Sequence, residues 1–190
     1  MPEAPYSLLA ELENVRHMAH PPVDQWQPDV VRDIDMRIAR DGTWYHEGSP
    51  IERLRLVRLF STILRRESDD EYYLVTPVEK FRIQVEDVPF QAILMDVVGR
   101  GRDQVLKFTT NVADEVIADA AHPVRLAVNA RTGEPSPYVL IRNGMEALIS
   151  RNVYYQLSEL IVSESIGGED WLGVWSSGEF FQFIPDDDND

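Results

Sequence analysis

The chain has 190 residues, 44% of them hydrophobic and 27% charged, which is the composition of an ordinary globular protein with room for a real core. Its net charge of −15 argues against a non-specific nucleic-acid or anionic-membrane binder, since both need a positive surface. It contains no Cys, which rules out a disulfide framework, a thiolate metal site and a thiol nucleophile.

The opening, MPEAPYSLLAELE, carries acid where a signal peptide needs base, and no apolar run approaches the ~18 residues of a membrane span, so a cytoplasmic location is expected. Residues 7–17 predict a short helix capped by Ser7, with Leu8, Leu9, Leu12 and Val15 on one face. His20-Pro21-Pro22 stops it. Trp26 is expected to anchor this N-terminal arm, residues 1–32. Residues 33–39 alternate as a half-buried strand, Asp41-Gly42 is a hairpin turn, and residues 43–46 return. Glu47-Gly48 leads into a helix with strong start signals. Ser49 is its N-cap, Pro50 its first residue, and Glu52 closes a Ser-x-x-Glu capping box. Leu56, Leu59, Phe60, Ile63 and Leu64 form its apolar stripe. Arg53, Arg55, Arg58, Arg65 and Arg66 lie off that stripe, either as a solvated face or as a docking surface for an acidic partner or phosphate. Strands at 71–76 and 80–86 complete a first α+β module, residues 33–88.

Residues 89–123 read as connecting strands. The Gly99-Arg100-Gly101 turn within them is not followed by a helix, so the geometry of a phosphate cradle is missing. Asp114, Glu115, Asp119 and His122 raise the idea of a carboxylate-histidine metal site, but their spacing is not diagnostic and a loop acid cluster is the simpler reading. A second α+β module, residues 124–184, runs from a strand at 124–130 through a Gly-Pro turn to a strand at 138–142. A helix follows, capped by Asn143 with Glu146 three residues on, and then strands at 171–175 and 180–184. Residues 185–190 are an acidic tail.

The order strand, turn, strand, capped helix, strand, turn, strand occurs twice. Ala39-Arg40-Asp41-Gly42 matches Ala130-Arg131-Thr132-Gly133, and Ser49-Pro50-Ile51-Glu52 matches Asn143-Gly144-Met145-Glu146. Each identity is weak, and the shared order is what predicts a degenerate internal repeat of two similar modules, each with antiparallel strands and one capped helix.

No motif of high chemical specificity is present: no GxSxG, HExxH, Walker loop or GxGxxG. His46 adjoins Glu47, but neighbours on a strand face opposite ways and need not share a site. Aromatic residues recur in the equivalent strands. Core packing explains most of them, and a ligand groove between the modules would draw on Trp44, Tyr45, His46, Tyr73, Trp171 and Trp175. No metal ligands, cofactor, nucleic-acid partner or membrane partner are indicated; the expected partner is a small molecule or a protein.

The stretch DGTWYHEGSPIERLRLVRLFSTILRR, followed by LVTPVEKFRIQVEDVPF and HPVRL, resembles the bacterial domain-of-unknown-function family twelve-eighty-five. The resemblance covers nearly the whole chain after the N-terminal arm, and Asp-Gly-x-Trp-x-x-x-Gly-Ser-Pro-Ile is its specific part. It implies an α+β fold of repeated motifs and a role in signal transduction, and it supplies no catalytic residues. The favoured reading is a non-enzymatic signalling or regulatory module. One alternative is an enzyme using His46, Glu47 or Asp119 with His122; the other is a structural or assembly protein.

Overall fold

The computed structural model describes Leu8, Leu12, Met18 and residues 21–186. The chain divides into two compact units, Met1–Pro89 and Phe90–Asp190. Leu8 and Leu12 are helical and fully buried. The rest of the helix expected over residues 7–17, and residues 187–190 of the acidic tail, lie outside the described residues.

In the first unit a 3-10 turn at Val23–Gln25 precedes β1 (Val30–Ile38), β2 (Trp44–His46), β3 (Ser49–Pro50), α1 (Leu54–Thr62), β4 (Leu64–Arg66), β5 (Tyr72–Val75) and β6 (Glu79–Val85). These strands form one six-stranded sheet in the order β3-β2-β1-β6-β5-β4. Neighbours are antiparallel except β1 and β6, which run parallel at the centre. Register puts Trp44 opposite Ile38, and Leu74 opposite both Leu64 and Phe81. All five are buried on one face. α1 adds Val57 and Phe60, and the Phe60 ring stacks on Trp44 at 6.2 Å. Full burial of side chains of this size contributes about 1.5–3 kcal/mol each.

The second unit contains β7 (Phe90–Val98), β8 (Val105–Thr110), β9 (Glu115–Ile117), β10 (Val124–Val128), β11 (Pro135–Arg142), β12 (Met145–Ile149), α2 (Arg151–Ser158), β13 (Val162–Ile166), β14 (Glu169–Ser176) and β15 (Glu179–Pro185). β7 to β12 make a second six-stranded sheet, β10-β11-β12-β7-β8-β9, and β13-β14-β15 a separate three-stranded one. Traced from its other edge, the second sheet has the strand order and directions of the first, with β7 and β12 as the central parallel pair. β7 to β9, expected as connecting strands, therefore supply half of this sheet. The architecture is mostly β. α1 and α2, of 9 and 8 residues, are the complete α-helices among the described residues.

Both expected helix starts are hairpin turns instead. Glu47 and Gly48 take φ of 48° and 74°, and Asn143 and Gly144 take 49° and 71°. Two successive left-handed residues give the turn whose twist suits a two-residue hairpin. Ser49 and Pro50 consequently pair with His46 and Tyr45, and Ile51 N–H donates to Trp44 O at 2.8 Å. Pro50 is tolerated because β3 is an edge strand. The helix starts only after Arg53, and the Ser49–Glu52 capping box does not form. It also ends early. Ser61 and Thr62 hydroxyls bond back to the carbonyls of Arg58 and Leu59 at 2.7 Å, Ile63 is the C-cap, and Leu64 and Arg65 belong to β4. After Asn143-Gly144 the chain returns as β12, where Met145, Ala147 and Ile149 alternate into the core. A short apolar run fits either period, and the turn decides it. The helix proper is α2, with Ser150 at its N-cap and Val153 and Leu157 buried.

The strand order also changes the residue-level correspondence of the two halves. The turn at Asp41-Gly42 joins β1 to β2, whereas that at Thr132-Gly133 joins β10 to β11. By strand order the counterpart of β1–β2 is β7–β8, and that of β10–β11 is β4–β5.

Within the second unit one serine ties the small sheet to the large one. Ser176, with 0% of its surface exposed, accepts from Leu106 N–H at 2.9 Å and donates to Ala118 O at 2.7 Å. Its hydroxyl bridges Leu106 N–H to Ala118 O, beside the direct bond from Ala118 N–H to Leu106 O at 2.9 Å.

Two stability outcomes are expected. Gly144→Ala, whose added Cβ meets nothing within 4 Å, acts through backbone strain alone and lowers stability by about 1–2 kcal/mol. Gly144→Asn costs less, because Asn tolerates the left-handed region. Ser176→Ala strands a buried donor and a buried acceptor and costs about 1–3 kcal/mol. Urea unfolding with an unchanged m-value measures both.

Candidate functional site

Four of the six residues singled out above lie in the first unit. Trp44, Tyr45 and His46 are consecutive on β2, so their side chains alternate between faces. Trp44 and His46 point into the core, 1% and 5% exposed. Tyr45 faces the other way, beneath the Arg37 guanidinium at 4.3 Å. Tyr73 is buried on β5, donates its hydroxyl to Asp69 at 2.9 Å, and lies against Lys80 at 4.6 Å. Bonds from Glu71 N–H and the Tyr73 hydroxyl hold the Asp69 carboxyl below the usual carboxylate range.

Beside Tyr73 lies Arg65, which is on β4 and not on an exposed helix face, whether solvated or docking. It is 9% exposed, and it donates to Val23 O at 2.7 Å, to Trp26 O at 2.8 Å and to the Glu67 carboxylate. Lys80 bonds the other oxygen of Glu67. Burial raises the affinity of Glu67 for a proton, but the Lys80 and Arg65 bonds outweigh it and the carboxyl is held low. The arm is thus fastened through its backbone, while the Trp26 side chain stays half-exposed.

Within each unit, the groups of the alternative enzymatic reading form no catalytic constellation among the described residues. His46 is in the core, and Glu47 occupies the following turn. Asp119 accepts from the N–H groups of Ala121 and His122, both at 2.9 Å, and His122 Nδ1 bonds Leu140 O at 3.0 Å. Asp114 pairs with Arg142 and Glu115 with Lys107. No metal-ligating group of three or more side chains exists among the described residues.

A hollow of about 270 Å³ lies in the second unit. Gly101 and Arg102 come from the 3-10 turn Gly101–Asp103, with Gln104 following; Glu159 and Leu160 follow α2; Val162 and Glu164 come from β13 and Trp175 from β14. Gln104 is buried, donates its amide to Trp175 O at 2.8 Å and accepts from Ser177 N–H at 2.9 Å, which locks the turn to β14. Glu164 is the hub. It accepts from Trp175 Nε1 at 2.9 Å and from Arg102 Nη2 at 2.6 Å, and Arg102 also lies over the indole at 5.0 Å. The Trp175 and Arg102 bonds hold the Glu164 carboxyl below its ordinary value. Glu159 has no charged partner among the described residues, so the lining has one positive and two negative side chains.

Support for the indole comes from Gly173. A Cβ there would meet Phe181 O at 2.2 Å and the Phe180 ring at 2.7 Å. The bare glycine lets Phe180 pack 5.2 Å from Trp175. Trp171, two residues earlier, pairs with Glu164 across β13–β14 but does not line the hollow. Of the expected site residues only Trp175 is at this hollow. Arg102 and Glu164 meet across 62 positions, a separation that leaves no local trace in the sequence.

Glu164 has a pH consequence. Its folded pKa is depressed, so its contribution is fully present above the ordinary glutamate value of 4.5 and is lost as pH falls through the lower folded value. Glu164→Gln should be less stable than wild type at neutral pH, with the gap closing below that window. Paired denaturant titrations at neutral and acid pH check this, and a gap that does not close would assign the effect to packing.

Residues 21–88 match the N-terminal domain described as "Domain of unknown function (DUF1285)", and residues 89–183 match the C-terminal domain of "Protein of unknown function (DUF1285)". The crystal structure of a DUF1285 family protein from Silicibacter pomeroyi DSS-3 is similar at 48% identity and a TM-score of 0.87, covering 97% of this chain and 98% of that one. A DUF1285 family protein from Shewanella baltica OS155 is similar at 26% identity and a TM-score of 0.51, covering 66% of this chain and 91% of that one. No curated protein matches. With both of its domains matched in order from residue 21 to residue 183, the chain belongs to the DUF1285 family.

Proposed function

We propose that the protein is a non-enzymatic regulatory module that takes up a small organic ligand, or a side chain of a protein partner, in the hollow of the second unit. The observation that carries this reading is Trp175. Its indole N–H and its face are fixed by Glu164 and Arg102 at a concave surface, an arrangement that preorganises an aromatic contact. Leu160 and Val162 add apolar wall, and Glu159 is left uncommitted. An amine-bearing ligand with a short apolar body suits that lining.

A regulatory role, as opposed to catalysis, is supported by the dispersal of the candidate groups. His46 is enclosed in the core, and Asp119 and His122 are occupied by backbone partners. The shared strand order of the two sheets supports reading the chain as two diverged copies of one unit. A cytoplasmic location belongs to the same proposal, in keeping with a chain free of Cys. No described helix is long and apolar enough to cross a membrane.

Thermal melts against a library of primary and quaternary amines, with matched carboxylates as controls, test it. A ligand present at a hundredfold its Kd stabilises by about 2.7 kcal/mol. The expected result is an upward shift with at least one amine, lost in Glu159→Gln and in Trp175→Leu. Shifts that persist in both variants, or a library that moves nothing, would sink the proposal.

A further inference from the structure

The arginines of α1 play no part in the hollow, which belongs wholly to the second unit. Most described lysines and arginines have a carboxylate within ion-pair distance, as an excess of 33 acids over 18 bases would lead one to expect. Arg53, Arg55 and Arg58 have no such partner among the described residues, and all three are exposed. α1 itself, LRLVRLFST, contains no acid, and Glu52 just before it forms no ion pair with them.

Their position makes this costlier than a chance cluster. Arg53 is the N-cap and Arg55 is in the first turn, at the positive end of the helix dipole where carboxylates are favoured, and no side chain caps that end. Arg55 and Arg58 are three residues apart and Leu54 and Arg58 four apart, so these three lie along one stripe, with Arg53 just before its N-terminal end. Leu54, 49% exposed, gives the stripe an apolar neighbour. Like charges gathered at the wrong end of a helix and left unpaired in an acid-rich chain break the local rule without a compensating contact inside the unit.

We propose that this face of α1 is a docking surface for a short, Asp/Glu-rich segment of a partner protein. Charge complementarity fixes the sign of the occupant. From Arg53 to Arg58 the helix rises only about 7.5 Å, room for a few carboxylates. An RNA or DNA strand would carry its phosphates beyond that patch and over a chain of net charge −15, whereas an acidic segment ends where the patch does. Leu54 receives one apolar side chain of the segment.

The test uses the full-length protein and a fluorescent peptide of alternating Glu and Asp around a single leucine. Its Gln/Asn counterpart, a single-stranded oligouridylate and inorganic phosphate serve as comparisons. Fluorescence anisotropy at low ionic strength should show binding of the acidic peptide that weakens with salt. Arg53→Gln/Arg55→Gln/Arg58→Gln should lose it by at least about tenfold, a ΔΔG of about 1.4 kcal/mol. Arg131→Gln/Arg151→Gln, which removes two exposed arginines elsewhere, should keep it. Because the triple variant relieves repulsion, its urea midpoint should stand at or above that of wild type, which separates lost docking from lost folding. Undiminished binding by the triple variant, equal binding of the Gln/Asn peptide, or tighter binding of oligouridylate or phosphate than of the acidic peptide would each overturn the proposal. The hollow is not involved, so its amine test can fail or succeed independently.

Discussion

The architecture depends on turns in which two consecutive residues both adopt left-handed φ. Glu47-Gly48, Asn143-Gly144, Gly167-Gly168 and Ser177-Gly178 all lie between 48° and 90°. Such turns fix hairpin register, and in a strand a slip of one residue exchanges the two faces. The first turn commits β2 to bury Trp44 and His46 and to present Tyr45. The third pairs Glu164 with Trp171, and so places the carboxylate on the same side of the small sheet as Trp175. The site chemistry is therefore downstream of backbone conformations set by a handful of turn residues.

The parts of this fold that were legible in the sequence are those in which turn chemistry and strand alternation agree. β1, the Asp41-Gly42 turn and β2 follow from the pattern, as do β5, β6, β14 and β15. Where two local codes competed, the capping box lost. Ser49-Pro50-Ile51-Glu52 has good helix-start chemistry, yet Glu47-Gly48 had already reversed the chain, and backbone pairing with β2 satisfied the groups a helix would have left open. Asn143 was outcompeted in the same way by the turn it forms with Gly144. Arg65 could not be placed from its position in an arginine-rich stretch, because its role depends on carbonyls about forty positions away at Val23 and Trp26. Trp175 could be picked out as an aromatic on a strand, but its partners Arg102 and Glu164 are joined to it only by the folded topology.

A single electrostatic arrangement recurs through both units. A cation lies over an aromatic ring and pairs with a carboxylate at the same time: Arg37 with Tyr45 and Glu86, Lys80 with Tyr73 and Glu67, Arg125 with Tyr138 and Glu146, Arg142 with Phe90 and Asp114, Arg102 with Trp175 and Glu164. In a chain so rich in acid, each of these five cations covers an aromatic ring and neutralises a charge at once. Arg53, Arg55 and Arg58 stand outside this arrangement.

The parallel pairing at the centre of each sheet also has a bearing on how the chain is made. β1 is joined on its inner flank by β6, and β7 on its inner flank by β12, so that side of the first strand of each sheet must wait for the last. Non-local closure of this kind is slow, because chain entropy is lost before the rewarding contact forms. On the ribosome the first sheet cannot close until Val85 has left the exit tunnel, nor the second until Ile149 has. The hairpins can form earlier, leaving the flank of β1 that awaits β6 as an open edge during synthesis, the interval in which this protein would most need a chaperone.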